Sequence, residues 1–454
     1  MLTIIEPGNA AGGVSRRRFL RIGCLGLAGL TLPNLLRAES AGSDRRSTKS
    51  VIHVFLAGGP SQSEIFPNLD APDAYRTSFR PSATRVPGLS LCEHMPRIAA
   101  RADSFVFLPG VHGMDGSHMP HCCFSGAVMS GPGAVNERNE FAAVGGRPSQ
   151  GAFISRLLGS TDGVVPPYMT LPGLAGDHVG PGFLGRAHGP FQVNEQLLGS
   201  LRGGQLANRL EDRRALLRSF DTLRREIDSN GQIEALDRFT QAAIGLVTSS
   251  RFANALDLSK EPSRVVDRFR NRGWGSRGFD AGINLQLLRA RRLVEAGARY
   301  VAVEYPGWDT HQANDEIHRA KLPILDHGLA TLVDDLQARG MLDDVLILAW
   351  GEMGRSKPYD NPRIDPGTGE FGRGTGHHGE CAPAFLAGGG LRAGQMIGAL
   401  DRHGMVNRTR RVHNHEVLAT VYHALGIDVS TVRVFDPNNR PRPLLDHGPI
   451  REVI

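Results

Sequence analysis

Val51-Ile52-His53-Val54-Phe55-Leu56-Ala57 is a short, almost wholly apolar and β-branched run that ends in Gly58-Gly59-Pro60-Ser61. Such a run has the pattern of a strand buried on both faces, and the Gly-rich turn behind it is where open α/β sheets place ligands. The pattern repeats along the chain. Ile283 to Ala296 has helical periodicity and stops at Gly297, and Arg299 to Glu304 then reads as a strand. A helix over 321–339 ends at Gly340 and leads into a strand over Val345 to Trp350. Ser104 to Leu108 is a further short strand with a His-rich loop behind it. Strands alternating with helices imply an α/β fold with a largely parallel sheet covered by helices.

Between these segments the chain changes character. Residues 126–150 are Gly-rich and read as loop, and 160–200 are rich in Gly and Pro without periodicity. Residues 205–258 place Leu206, Leu210, Leu217 and Phe220 at helical spacing among Arg and Glu, the signature of an amphipathic helical insertion. No internal repeat is evident.

The first residues differ from the rest. Ser15-Arg16-Arg17-Arg18-Phe19-Leu20 is a twin-arginine signature, followed by the apolar stretch Ile22–Leu36. That stretch is short, contains Gly23, Gly26, Gly29 and Pro33, and is not apolar enough for a spanning helix. Residues 1–38 are expected to be a twin-arginine signal peptide, 39–50 a polar linker and 51–454 one folded domain. The expected location is periplasmic or otherwise exported, with the twin-arginine translocation machinery as a partner and no stable membrane span. The formal charge of +6 comes largely from this segment. It holds five Arg and one Glu, so 47 basic and 45 acidic residues remain, a net of +2. No basic stripe with interleaved aromatics appears, and no nucleic-acid partner is implied.

Four strand-end clusters could carry chemistry: Ser61-Gln62-Ser63-Glu64, Trp308-Asp309-Thr310-His311, Gly351-Glu352-Met353-Gly354-Arg355, and Gly376-His377-His378-Gly379. Carboxylates and imidazoles gathered from separate strand ends suit a divalent ion such as Zn, Mn, Mg or Ca. Each residue also has a plainer role. Asp309 could cap the next helix, Glu352 could pair with Arg355, the histidines could be exposed loop residues, and Ser61 and Ser63 could be turn serines. His112, His118, His121, Cys122 and Cys123 form a fifth group without CxxC spacing. Cys122 and Cys123 read equally as small buried residues. No Walker loop, GxGxxG, GxSxG or HExxH is present, so nucleotide binding, the α/β-hydrolase elbow and zincin chemistry lack support.

Several segments together resemble the bacterial domain-of-unknown-function family 1501. They are Ala290–Val301, Gly307–His311, Asp335–Asp344, Gly351–Ser356, Leu386–Gly390, Gly58–Gln62 and His423–Ile427. That family is similar to the alkaline-phosphatase/sulfatase superfamily. The resemblance implies a three-layer α/β/α sandwich with an alkaline-phosphatase-like core, and metal-dependent hydrolysis of phosphate or sulfate esters. The substrate would be an anionic small-molecule or polysaccharide ester, and the alternative is a non-catalytic exported binding protein with a degenerate site. The ligands expected are Asp309, His311, Glu352 and His378, with Glu64 as a further one and His377 and His118 as possible additions. Ser61 or Ser63 would be the nucleophile, and Arg355 would neutralise the anion. Relatives usually carry Asp at the positions of Glu64 and Gly376. Glu can ligate and Gly cannot, so a gap is expected beside Gly376, taken by water or by His377.

The export reading has a direct check. A fusion carrying Arg16→Lys and Arg17→Lys is expected to stay in the cytoplasm on cell fractionation, because the pathway reads the arginine pair; unchanged export would reject the signal.

Overall fold

Ser50–Phe55 forms strand β1, with all six residues buried. The computed structural model describes residues 49–127, 146–161, 165–202, 250–270, 282–357 and 374–454. Within them, β1 lies inside a nine-stranded sheet. The other strands in chain order begin with β2 (Phe105–His112), β3 (Tyr168–Thr170), β4 (Phe191–Gln192), β5 (Tyr300–Glu304) and β6 (Val345–Trp350). After a small hairpin of β7 (Gly354–Ser356) and β8 (Gly376–His378) come β9 (Ala382–Gly388), β10 (Gln395–Met396) and β11 (Val412–His413). Across the sheet the order is β10-β2-β9-β6-β1-β5-β3-β4, with β11 also on β2. Pairing is parallel except at β9, which runs antiparallel to both β6 and β2.

Strand pleating sends alternate residues to opposite faces. Ile52 and Val54 join Val301, Val303, Ile347 and Ala349 on one face. That face is covered by helices α2 (Ile283–Glu295) and α3 (Asn314–Ala338), through Leu287, Leu325 and Leu329 among others. Val51 and Phe55 join Ala302, Leu346 and Leu348 on the other. That face is covered by α1 (Gln150–Leu158) and α4 (Asn414–Ala424), through Phe153, Ile154, Val417 and Leu418. The result is the mixed α/β sandwich of three layers with a mostly parallel sheet.

The elements differ in detail from their sequence reading. α3 begins at Asn314, seven residues before the expected start, and carries Pro323 inside it. Tertiary packing holds the first turns there, with Asn314 and His318 fully buried. β2 runs on to His112, four residues beyond the expected end. Of the expected insertion at 205–258, only residues 250–258 are described, and they hold a helix over Ser250–Leu256. The expected signal segment 1–38 and residues 39–48 of the expected linker 39–50 lie outside the described residues, and Lys49–Ile454 form one unit by their contacts. No helix among the described residues is long and apolar enough to cross a membrane. Cys92, Cys122, Cys123 and Cys381 are buried free thiols.

β1 carries the imidazole of His53 into the core, fully buried. Trp350 Nε1 donates to its Nε2 at 2.9 Å, so the ring proton sits on Nδ1, which donates to Tyr300 Oη at 2.5 Å. Burial holds this imidazole neutral and pushes its pKa down to about 3. The unfolded chain therefore takes up this proton first, and stability is lost as pH falls below the ordinary histidine value toward about 3. In denaturant titrations between about pH 6 and 4, the protein is expected to lose roughly 1.4 kcal/mol more per pH unit than its His53→Gln variant. Parallel slopes would mean that His53 does not carry the effect.

Candidate metal centre

In a parallel sheet the carboxyl ends of the strands share one edge, and the loops leaving β1, β5 and β6 meet there. Gly58 is their common point. Its N–H donates to both carboxylate oxygens of Glu352, at 2.9 and 3.1 Å, and its carbonyl accepts from Arg355 at 3.2 Å. Its φ of +106° is a conformation that L side chains rarely adopt, and a Cβ there would overlap the Asp309 amide. A Cβ on Gly59, at φ +74°, would stand 2.5 Å from the Met353 carbonyl oxygen.

The antiparallel course of β9 brings in the fourth loop. A strand that starts where its neighbours end receives its preceding loop at the same edge. That loop is the β7–β8 hairpin, in which His377 pairs with Arg355 and His378 with Gly354. Successive strand residues point to opposite sides, so only one of the two histidines can face Asp309. It is His377, with Nε2 at 3.3 Å from Asp309 Oδ1 and 3.0 Å from His311 Nε2. His378 turns away and bonds the Met405 carbonyl at 2.6 Å. The fifth loop leaves β2, which also ends at this edge. Met114 N donates to Gly379 O at 3.1 Å, and this tie places His118 against the His377 ring at 4.5 Å.

His118, Asp309, His311 and His377 thus each offer one ligand atom, all within 4.8 Å of one another. His118 Nε2 stands 3.1 Å from Asp309 Oδ2, and His311 Nε2 stands 3.1 Å from Asp309 Oδ1. Donors about 2 Å from one ion at tetrahedral angles would stand about 3.3 Å apart; the separations of 3.0 to 3.3 Å around Asp309 and His377 are of that size, and the set could hold a divalent cation. The cluster is open to solvent, with the His118 side chain 50% and Asp309 36% exposed.

The surroundings tune the set. Burial pushes the Asp309 carboxyl up, but Arg355, then His118 and His311, outweigh it and hold it below the usual range. The hydrogen bond to Glu352 is the largest influence on His118 and, with Asp309, raises its pKa against burial. Burial lowers His377, helped by Arg355 and His118.

The other expected residues lie nearby but outside the four. Glu352 is 3.4 Å from His118 Nδ1 and is engaged by Gly58. Arg355 is fully buried; it donates to Asp309 Oδ1 at 2.9 Å, to Thr375 Oγ1 at 2.8 Å and to the Thr375 carbonyl at 3.0 Å. It therefore fixes Asp309 rather than facing solvent. Glu64 forms a fully buried pair with Lys357 at 2.8 Å. Burial would raise the Glu64 carboxyl, but Lys357 and His318 bring it down to about 2. Ser61 is buried, and its amide donates to His318 Nε2 at 2.9 Å. Ser63 faces a separate cavity. His112 meets the His413 ring edge-on, His121 lies 3.5 Å from Asp177, and Cys122 Sγ lies 3.5 Å from the Glu352 carbonyl oxygen. Asp309 caps no helix, since α3 begins after Ala313. The sequence reading quoted Gln62 in its cluster without giving it a role, and it missed Thr375. Gln62 brackets Arg355 by accepting from its N–H and donating to its carbonyl, both at 2.9 Å. Neither residue sits in a local pattern that would announce the role.

The family described as "Protein of unknown function (DUF1501)" matches residues 48–454. The chain belongs to that family. No curated protein matches it. Among solved structures, the lipoteichoic acid synthase LtaP from Listeria monocytogenes is similar at 10% identity and TM-score 0.35, over 84% of this chain and 73% of that one. An alkaline phosphatase superfamily protein from Vibrio parahaemolyticus has 10% identity and TM-score 0.36, over 84% and 66%. Murine ectonucleotide pyrophosphatase/phosphodiesterase 5 has 9% identity and TM-score 0.38, over 84% and 95%. At that distance these likenesses assign no residue a role, and the reading of the site rests on its own side chains.

Gly58→Ala tests the convergence. It is expected to cost on the order of 3 kcal/mol, from the positive φ and the overlap with Asp309 together. Gly426→Ala, at φ +78° with nothing within 4 Å of a Cβ, should cost only about 1 kcal/mol. Thermal and denaturant unfolding of the pair checks the difference; equal losses would show that Gly58 is not under steric constraint.

Proposed function

We propose that this chain is an exported, metal-dependent hydrolase of phosphate or sulfate esters. The observation that carries the reading is the four-residue set His118, Asp309, His311 and His377, gathered from three loops at one sheet edge and open to solvent. A divalent cation held there would polarise an ester oxygen and stabilise the charge that develops on it. The chain's own residues do the positioning. Arg355 fixes the Asp309 carboxylate, and Thr375 fixes Arg355 in turn while donating to the Thr310 carbonyl at 3.0 Å. Glu352 holds the Gly58 turn and orients His118. The proposed substrate is an anionic small-molecule or polysaccharide ester, reached outside the cytoplasm if Arg16 and Arg17 direct export.

Two observations favour a second reading, an exported binding protein that keeps the metal without the hydrolysis. Glu64 and Lys357 satisfy one another in the interior, and Gly376 brings no donor to the edge. Elemental analysis and a panel of aryl phosphates and sulfates separate the two. Protein folded with metal supplied is expected to retain about one equivalent of a divalent ion, and His311→Ala with His377→Ala to retain less than about a tenth of that. Metal-dependent hydrolysis of either ester class supports the hydrolase, and metal without turnover supports the binding protein. An unaltered chain that holds no metal overturns both.

A further inference from the structure

The first turn of α4 is built on histidines. His413 is the capping residue: its Nδ1 accepts from the His415 N–H at 3.1 Å, and Glu416 reaches back to the His413 N–H at 2.9 Å. His415 repeats the arrangement. Its Nε2 lies 3.0 Å from the Gly126 carbonyl, so that nitrogen carries the proton, and its Nδ1 accepts from the Asp446 N–H at 3.3 Å. A backbone amide can only donate. Each bond therefore requires an unprotonated Nδ1, and both rings are neutral where the bonds exist. An asparagine cap would make the same bond without that condition.

The surroundings oppose a charge on His413. The His447 ring stacks on it at 4.4 Å and 22°, the His112 ring meets it edge-on at 5.0 Å, and the His415 ring lies 4.9 Å away. A cation at a helix N-terminus also faces the positive end of the helix dipole. The acids nearby are engaged. Arg410 holds Glu416 at 2.5 and 3.1 Å, Arg411 holds Glu380 at 2.6 Å, and Asp446 lies 3.6 Å from His415 Nδ1. Burial, then His415, His447 and His112, push the His413 pKa down to about 4 against the pull of Glu416. Burial lowers His415 and His112 as well, with Arg147 and Arg411 adding to it.

This turn also holds the segment that follows His118. Asn414 Nδ2 donates to the Cys122 carbonyl at 3.4 Å, His415 donates to the Gly126 carbonyl, and Cys122 and Phe124 share an apolar cluster with Val417 and Leu418. Gly126, at φ +78°, lets the His415 ring approach, since a Cβ there would stand 2.8 Å from it. The bond from Asp446 ties in the segment that carries His447.

We propose that the first turn of α4 is an acid-released clasp: protonation of His413 at Nδ1 breaks the cap, and the turn lets go of residues 121–126 behind His118 and of the segment at His447. The proton comes from solvent and takes the lone pair that the His415 N–H had used, and that amide turns to water. In the open turn the ring regains the ordinary histidine value of 6.5, against about 4 in the closed one. The clasp is therefore held fully above the first value and loosens as pH falls toward the second. It depends on neither a metal nor hydrolysis, and it is tested on chelator-treated protein so that the two readings can fail separately.

Hydrogen exchange of the full chain, followed by mass spectrometry, reads the clasp when each rate is taken relative to an unstructured chain at the same pH. Between about pH 6 and 5, protection at 121–126 and 414–418 is expected to fall about five- to tenfold, while α2 keeps its protection. His413→Asn retains a cap and has no proton to gain, so the ratio of its protection to that of the unaltered chain should rise about five- to tenfold over the same range. Should that variant fold poorly, His413→Ser, a second cap that does not titrate there, keeps the test open. Level protection in the unaltered chain, parallel falls in the unaltered chain and the cap variants, or an equal fall in α2 would each overturn the proposal.

Discussion

The turn at Gly58 is the constraint on which the rest of this edge depends. β1 leaves the sheet between two parallel neighbours, and each residue of its exit is bonded to one of them. Leu56 N donates to Trp350 O, Ala57 N to Tyr305 O and Gly58 N to the Glu352 carboxylate. The Gly58 carbonyl then accepts from Arg355, whose guanidinium reaches Asp309. One residue without a side chain therefore lets three loops approach within contact distance. The carboxylate of Asp309 is thereby tied to β1 and β6 at the edge where the imidazoles gather.

Charge burial is the second feature of the molecule. Arg355 lies buried behind the site and reaches Asp309 within it, Glu64 and Lys357 form a buried pair, and a larger network lies over α2 and α3. There Arg291, fully buried, meets Glu261 at 2.8 Å, Glu295 at 2.5 Å and Asp335 at 2.9 Å, and Arg339 meets the same three acids. Such pairs stabilise little over an apolar replacement, but removing one partner strands a buried charge. They act as locks on geometry. Glu64 is the clearest case: its position after β1 suggests a ligand, and Lys357 takes it into the interior instead.

The open cluster and the cavity that Ser63 borders have opposite chemistry. The cluster gathers imidazoles around a carboxylate and is open to solvent, which suits a cation and an anionic group bound to it. The cavity has no lysine or arginine among its described lining, and its charged side chains there are the carboxylates Asp70 and Asp401.

The sequence by itself determined the fold class and the addresses of the chemistry. Apolar β-branched runs at 51–57, 299–304 and 345–350, each followed by a Gly-containing turn, are local patterns, and local patterns decide strands and their ends. The same logic put Asp309 and His311 behind β5 and Glu352 behind β6, and it named His118 and His377 as possible additions. Only the tertiary structure decided which of the named residues meet. The choice of His377 over His378 follows from the pleat of β8 against β7, a register that pairing sets and composition does not. The arrival of His118 follows from β9 running antiparallel beside β2, a topological fact with no mark in the local sequence. Glu64 was lost to a lysine 293 residues away, and Gln62 and Thr375 acquired their roles from Arg355 in the same way. Contacts between residues far apart in the chain are made by the packing of layers, and one strand's sequence does not contain its neighbour's.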